Sequence, residues 1–287
     1  MKKIFTCVLI VCLVAAIFSG CSKKGFDLAK EINAVTREPG SGTRGAFIEL
    51  FGLEEKLDDG TKKDLIMKEA GVENNTNTIL TTVENDIYSI GYVSMGSLND
   101  RIKAVQIDGV YATTANVKNG SYKISRPFVI ATSGEATGLT KDFIDYILSS
   151  EGQEIVVGSY IAVSEQASPY AGNKPSGSIT VGGSSSVSPL MEKLIEGYKV
   201  VNQNAVIQLQ TSDSTTGISK TIEGTYDIGM SSRDLKDSEK ESLSEIQIAL
   251  DGIAVIVNRE NTAANLTSDD VRAIYLGEAK TWNAVIK

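Results

Sequence analysis

Three short stretches place small hydroxyl residues and glycine directly ahead of an amphipathic pattern. They are Gly182-Gly183-Ser184-Ser185-Ser186-Val187-Ser188-Pro189, Thr211-Ser212-Asp213-Ser214-Thr215-Thr216-Gly217 and Arg37-Glu38-Pro39-Gly40-Ser41-Gly42-Thr43-Arg44. Hydroxyls and glycine suit a helix N-terminus, which leaves backbone N–H groups unpaired and carries partial positive charge. Three such ends aimed at one point make an anion cage that needs few charged side chains. The chemistry implied is the non-covalent capture of an oxyanion.

The composition removes most alternatives. The 287-residue chain has no histidine, which excludes Ser-His-Asp and Cys-His nucleophiles and most zinc sites. A Ser41 or Ser186 nucleophile for phosphoryl transfer has no histidine base and no cluster of metal-binding carboxylates to support it. No catalytic residue, cofactor or metal is expected, and the chain is not expected to be an enzyme. Of the three cysteines, Cys7 and Cys12 lie in an apolar leader. This leader runs from Ile4 to Phe18 behind Lys2 and Lys3 and ends in Ser19-Gly20-Cys21. Residues 1–20 therefore read as a secretory signal, too short for a membrane span, with 21–30 as a tether. Loss of Lys2 and Lys3 with the leader takes the net charge from −8 by two more charges to −10. So acidic a chain argues against nucleic acid as partner.

Elements must hold the three loops in place, and the pattern supplies them as alternating strands and helices, the mark of α/β architecture. Glu31 to Thr36, Ile90 to Ser94, Ile179 to Val181, Ala205 to Leu209 and Ile253 to Val257 read as strands, as do Lys103 to Ile107 and Tyr122 to Ile124. Helices are expected from Ser41 to about Phe51, over Thr140 to Leu148, from Ser188 to Tyr198 with Pro189 in the first turn, over Gly217 to Glu223, and over Leu266 to Leu276 behind Thr267. The charged stretch Leu53 to Gly71 reads as a helix with a loop. Ser164 to Ser178, rich in Ser, Pro, Gly and Asn, reads as a linker. Roughly 265 residues beyond the leader suffice for two modest domains.

With these elements in place the sequence resembles the phosphate-binding lipoproteins that feed phosphate ABC importers. Gly182 to Leu190, Asp227 to Arg233, Ala249 to Asn258 and Leu276 to Trp282 resemble the family's N-terminal half. Arg37 to Arg44, Ile90 to Ser94, Tyr122 to Phe128 and Phe143 to Gln153 resemble its C-terminal half. The halves stand in inverted order. That order implies either a circular permutation, with the usual ends joined through about 165–178, or a chain that completes itself by exchange with a second copy. Permutation is tolerated where chain ends are exposed and close together. The resemblance implies a two-lobed periplasmic-binding-protein fold (type II), hinge-connected and circularly permuted. One lobe is expected over 100–258 and the other over 31–99 plus 259–287, with crossings near Ser97 and at Ile256-Val257-Asn258.

The resemblance also implies a site. Ser185, Ser186 and Val187 (through its N–H), Ser214 and Thr215, and Ser231 and Ser232 come from one lobe; Arg37, Ser41, Gly42 and Thr43 come from the other. Arg44 is read as structural. A carboxylate that accepts the proton of phosphate would reject a fully ionised anion. Some family members carry an aspartate where this chain has Ser232, so Asp251 is preferred for that role, with Asp213 and Glu38 as alternatives. The implied protein is an extracytoplasmic phosphate receptor, monomeric, anchored by lipid on Cys21, and delivering to ABC permease subunits. Alternatives are a receptor for sulfate or molybdate, and a phosphate sensor or adhesin without transport.

Overall fold

The computed structural model describes residues 25–58 and 61–286. The leader and the lipidation position Cys21 lie outside the described residues. In chain order the elements are β1 (Asn33–Arg37), α1 (Gly42–Leu50), β2 (Glu54–Lys56), β3 (Lys62–Asp64), β4 (Gly71–Glu73), α2 (Thr76–Asn85) and β5 (Ser89–Ser94), then β6 (Ile102–Ala104), β7 (Gln106–Ile107), α3 (Thr114–Lys118), β8 (Ser125–Ser133), α4 (Gly138–Leu148), α5 (Ser150–Val157) and β9 (Ile161–Ala162). After these come β10 (Gly177–Ser184), α6 (Ser188–Val201), β11 (Ala205–Ser212), α7 (Ser214–Ile222), β12 (Ile228–Ser231), α8 (Asp237–Lys240), β13 (Leu243–Asn258), β14 (Asn265–Leu266) and α9 (Ser268–Leu276).

One strand organises the molecule. β13 runs for 16 residues, about 50 Å at the usual rise. Its first part, Leu243 to Gly252, pairs antiparallel with β8, and its second part, Ile253 to Val257, pairs with β5. A mixed sheet is thereby continuous in the order β11-β10-β12-β8-β13-β5-β1-β4. Parallel pairs lie at both ends, β10 with β11 and β12, and β1 with β5 and β4. Ile253-Ala254-Val255-Ile256-Val257 is buried throughout, as an unbroken apolar run covered on both faces requires.

Two apolar cores flank this strand. The first packs Phe47, Ile79, Val83, Ile90, Tyr92 and Tyr275 with the second part of β13. Phe47 stacks on Tyr92 at 3.8 Å between ring centroids, and Tyr275 meets Phe47 edge-on at 4.8 Å. Burying one such ring is worth about 2–3 kcal/mol. The second core gathers Phe128, Phe143, Val181, Leu190, Leu194 and Tyr198. These cores define two lobes, and they shift both expected crossings: Ile253 to Val257 lie in the first core, so β13 crosses at about Gly252 and not at Ile256-Val257-Asn258. Ile102, Val105, Ile107, Val117, Tyr122 and Ile124 belong to the first core, so the chain passes between the lobes at about Ser125 and not near Ser97. The reason is packing: Tyr122 Oη donates to the Ile253 carbonyl at 2.7 Å, and Ile253 N–H donates to Ile124 O at 2.8 Å.

Two local expectations also change. Leu53 to Gly71 carries the strand pair β2–β3 in place of a helix, with Lys62–Glu54 and Lys63–Glu55 ion pairs across it. Thr76–Asn85, for which the sequence pattern predicts no element, is a helix capped by Asn75, whose Oδ1 accepts from Thr78 N at 2.9 Å. Gly91 of β5 lets this helix lie close, because a Cβ there would stand 3.1 Å from Val83 Cγ2. The expected linker is without helix or strand from 163 to 176. It is pinned by buried Asp142, which accepts from Asn173 N at 2.8 Å, from Tyr198 Oη at 2.6 Å and from Tyr170 Oη.

Candidate functional site

The three hydroxyl-rich loops meet between the lobes. Ser41 is the N-cap of α1, its Oγ accepting from Arg44 N at 3.3 Å. Capping consumes that hydroxyl and aims the next two residues across the gap. Thr43 is fully buried, with Oγ1 2.8 Å from Ser186 Oγ and 3.5 Å from Ser232 Oγ on the opposing lobe. Gly42 has no room for a side chain: a Cβ there would stand 2.5 Å from Ser214 Oγ and 2.7 Å from Ser232 Oγ. On α7 the Asp213 cap leaves Ser214 at the first helical position, where its Oγ accepts from Ser232 N at 3.1 Å. Thr215 N–H closes a backbone bond to Gly40 O across the lobes at 3.2 Å.

Arg37 lies at the end of β1 and is 2% exposed. Its Nε and Nη2 clasp Glu38 at 2.8 and 2.7 Å. The guanidinium nevertheless faces the other lobe, with Nη2 donating to Ser185 Oγ at 3.1 Å. Arg44 holds the strand end from behind, donating through Nη1 to Arg37 O and to Thr36 Oγ1, each at 2.8 Å. Sequence reasoning missed one member. Thr76, the first residue of α2, is buried with Oγ1 3.3 Å from Arg37 Nη1, 3.2 Å from Ser185 Oγ and 3.3 Å from Ser186 Oγ. The signal was Asn74-Asn75-Thr76 ahead of Ile79, Leu80 and Val83, a capping pattern of the same kind as the other three.

Several expected members do not reach the cage. Asp251 is fully buried behind it: Oδ1 accepts from Ser94 Oγ at 2.9 Å, and Oδ2 pairs with Arg126 at 3.0 Å. Arg126 in turn donates to Ser232 O at 2.6 Å, so Asp251 acts on the site only through Arg126 and the Ser232 backbone. Burial pushes the Asp251 carboxyl up to about 6, against the opposing pull of Arg126 and Ser94. The same desolvation lowers the Arg126 guanidinium and raises the Tyr160 phenol beside them. The other two acceptor candidates are also committed, Asp213 to capping Thr216 N at 2.9 Å and Glu38 to Arg37. Ser231 Oγ turns back on Arg233, and Thr215 Oγ1 faces Arg233 Nη2. Val187 N–H is bonded to Ser184 O at 3.0 Å, and Val187 is the N-cap of α6.

What converges is therefore one guanidinium and six buried hydroxyls, those of Thr43, Thr76, Ser185, Ser186, Ser214 and Ser232. Four helix N-termini supply the field. Hydroxyls donate freely to acceptor-rich ligands, and a buried arginine adds charge-assisted hydrogen bonds. Such a set matches a small anion with oxygen on every side. Among the described residues no group of three or more His, Cys, Asp or Glu is placed to hold a metal ion. Thr76 and Ser185 also form part of the wall of a polar interlobe groove of about 1020 Å³, lined further by Asn74, Asn75, Asn77 and Asn99.

Comparison with known proteins gives a consistent picture. A model described as a PBP superfamily domain matches residues 3–151 and 168–286. Phosphate-binding protein PstS 2 of Streptococcus agalactiae is 46% identical over 274 residues, covering 94% of both chains. A solved phosphate ABC transporter phosphate-binding protein from Streptococcus pneumoniae is 40% identical, covers 89% of this chain and 100% of its own, and superposes with a TM-score of 0.71. Phosphate-binding protein PstS of Staphylococcus saprophyticus is 37% identical over 120 residues, 39% of this chain and 38% of its own.

Proposed function

This chain belongs to the PBP-fold family of phosphate-binding proteins, and from that premise we propose that it captures inorganic phosphate between its lobes and delivers it to an ABC importer. The observation that carries the reading is the meeting of Thr43 and Ser186, 2.8 Å apart from opposite lobes, beside the buried Arg37. Phosphate offers four oxygens at tetrahedral angles. Arg37 takes one through a charge-assisted bond, while Ser186, Ser214 and Ser232 of one lobe and Thr43 with the Gly42 backbone of the other take the rest. Hydroxyls accept as well as donate, so the proton that phosphate retains finds a partner among the serines. Lobe rotation about β13 and the strand entry at Ser125 opens and closes the cage.

The chemistry is capture and release, with no bond made or broken. The finer parts of the reading are a monomer that completes its own cage, a lipid on Cys21 holding it at the extracytoplasmic face, and permease subunits as the docking partner. A natural circular permutation accounts for the inverted halves. It is supported by the alignment over 94% of the streptococcal relative against 38% of the staphylococcal one. Titration calorimetry with phosphate, sulfate and molybdate tests the reading. Phosphate binding tighter than either competitor is expected. No heat with phosphate, or tighter binding of sulfate or molybdate, contradicts it.

A further inference from the structure

The hydroxyls around Arg37 are not free to rotate, and their order carries a consequence. A serine or threonine hydroxyl has one hydrogen to donate and two lone pairs with which to accept. Ser185 Oγ accepts from Arg37 Nη2 at 3.1 Å and from Thr76 N at 3.3 Å. Both lone pairs are filled by groups that only donate, so its hydrogen points onward, and Thr76 Oγ1 lies 3.2 Å away. Thr76 Oγ1 also accepts from Arg37 Nη1 at 3.3 Å. Its own hydrogen is then directed on to Ser186 Oγ, 3.3 Å away on the other lobe.

We propose that Thr76 is a positioning residue of the anion site. Fixed by Arg37 and by the start of α2, it sets a one-way chain of O–H donors, Ser185 to Thr76 to Ser186, in which only the Ser186 hydrogen is not spent within the chain and is left for the ligand. The chain crosses from lobe to lobe twice, so it forms only as the lobes approach. An anion entering the cage meets the Ser186 donor at the end of the chain, and polarisation along the chain strengthens that contact. The inference rests on the phosphate reading and deepens it by adding a residue that none of the three hydroxyl-glycine motifs contains.

The test is calorimetry with inorganic phosphate on the wild-type chain and on Thr76→Val, Thr76→Ser and Ser185→Ala, with melting temperatures measured without phosphate. Valine keeps the shape and loses the hydroxyl. About tenfold weaker binding is expected for Thr76→Val, with recovery in Thr76→Ser and no further loss when Ser185→Ala is added to Thr76→Val. A purely structural role would lower the melting temperature and give additive losses. Binding by Thr76→Val within twofold of wild type, a Ser variant as weak as the Val variant, or additive losses in the double variant would each overturn the proposal. Failure of the wild-type chain to bind phosphate would instead overturn the phosphate reading and the proposal with it.

Discussion

Replacing Arg37 with alanine probes the site where it carries most charge. The guanidinium is 2% exposed and serves two masters, Glu38 at 2.7 Å and the hydroxyls of Ser185 and Thr76. Removing it deletes a charge-assisted bond to the ligand worth about 1.5–3 kcal/mol. It also strands the Glu38 carboxylate, whose side chain is only 16% exposed, beside the incoming anion. Two like charges about 6 Å apart repel by about 2–3 kcal/mol at an effective dielectric constant near 20. Water admitted to the vacated space screens much of that, leaving about 1 kcal/mol. The expected total of about 2.5–4 kcal/mol corresponds to a loss of about two to three orders of magnitude in phosphate affinity. The double variant Arg37→Ala/Glu38→Gln recovers about five- to tenfold of that loss, because only the repulsion is relieved. Calorimetry on variants whose circular dichroism matches the wild type reads both numbers. A loss below tenfold in the folded single variant, or no recovery in the double variant, refutes this account of Arg37.

Three further perturbations reach other parts of the molecule. Gly42→Ala places a methyl 2.5 Å from Ser214 Oγ and 2.7 Å from Ser232 Oγ; it should hold the lobes apart and weaken phosphate at least tenfold, with a ligand-free melting temperature within a degree or two of wild type. Asp251 has its carboxyl raised from 3.8 to about 6 by burial, so its contribution to stability is fully present below pH 3.8 and is lost as pH rises through 6. That contribution is up to about 3 kcal/mol, and the urea-unfolding difference between wild type and Asp251→Asn should become less favourable to wild type between pH 4 and pH 7; a flat difference contradicts it. Asp142→Ala strands Tyr170, Tyr198 and the Asn173 N–H, which should cost about 2–3 kcal/mol and speed proteolysis within residues 163–176 while leaving phosphate affinity within twofold.

How much of this was legible in the sequence follows from how local each feature is. Ser41 and Thr267 announce their helices because a cap and its partner lie three residues apart, whereas the helix expected from Gly217 starts at Ser214 behind an Asp213 cap. The run Ile253 to Val257 announces a strand buried on both faces. The β2–β3 pair escaped because Glu54, Glu55, Lys62 and Lys63 have no apolar periodicity to read, and their order comes from cross-strand pairing. Thr76 is hard to read because its Asn75 cap stands in a stretch with neither glycine nor serine beside it. Asp251 was misplaced for a deeper reason. Alternation along β13 fixes which residues share a face, yet whether that face meets the cage or the hinge depends on Arg126 and Ser94, 125 and 157 residues away in the chain. The boundary at Ser125 was likewise set by which core Tyr122 and Ile124 join, a choice no local pattern records.

The central claim is that side chains from both lobes of one chain close on a single tetrahedral anion. A crystal structure of the protein grown with phosphate measures it directly. The account predicts one phosphate whose oxygens lie within hydrogen-bonding distance of Arg37 and Thr43 from one lobe and of Ser186 and Ser214 from the other. A phosphate held by one lobe alone, or by lobes of two different chains, would contradict it.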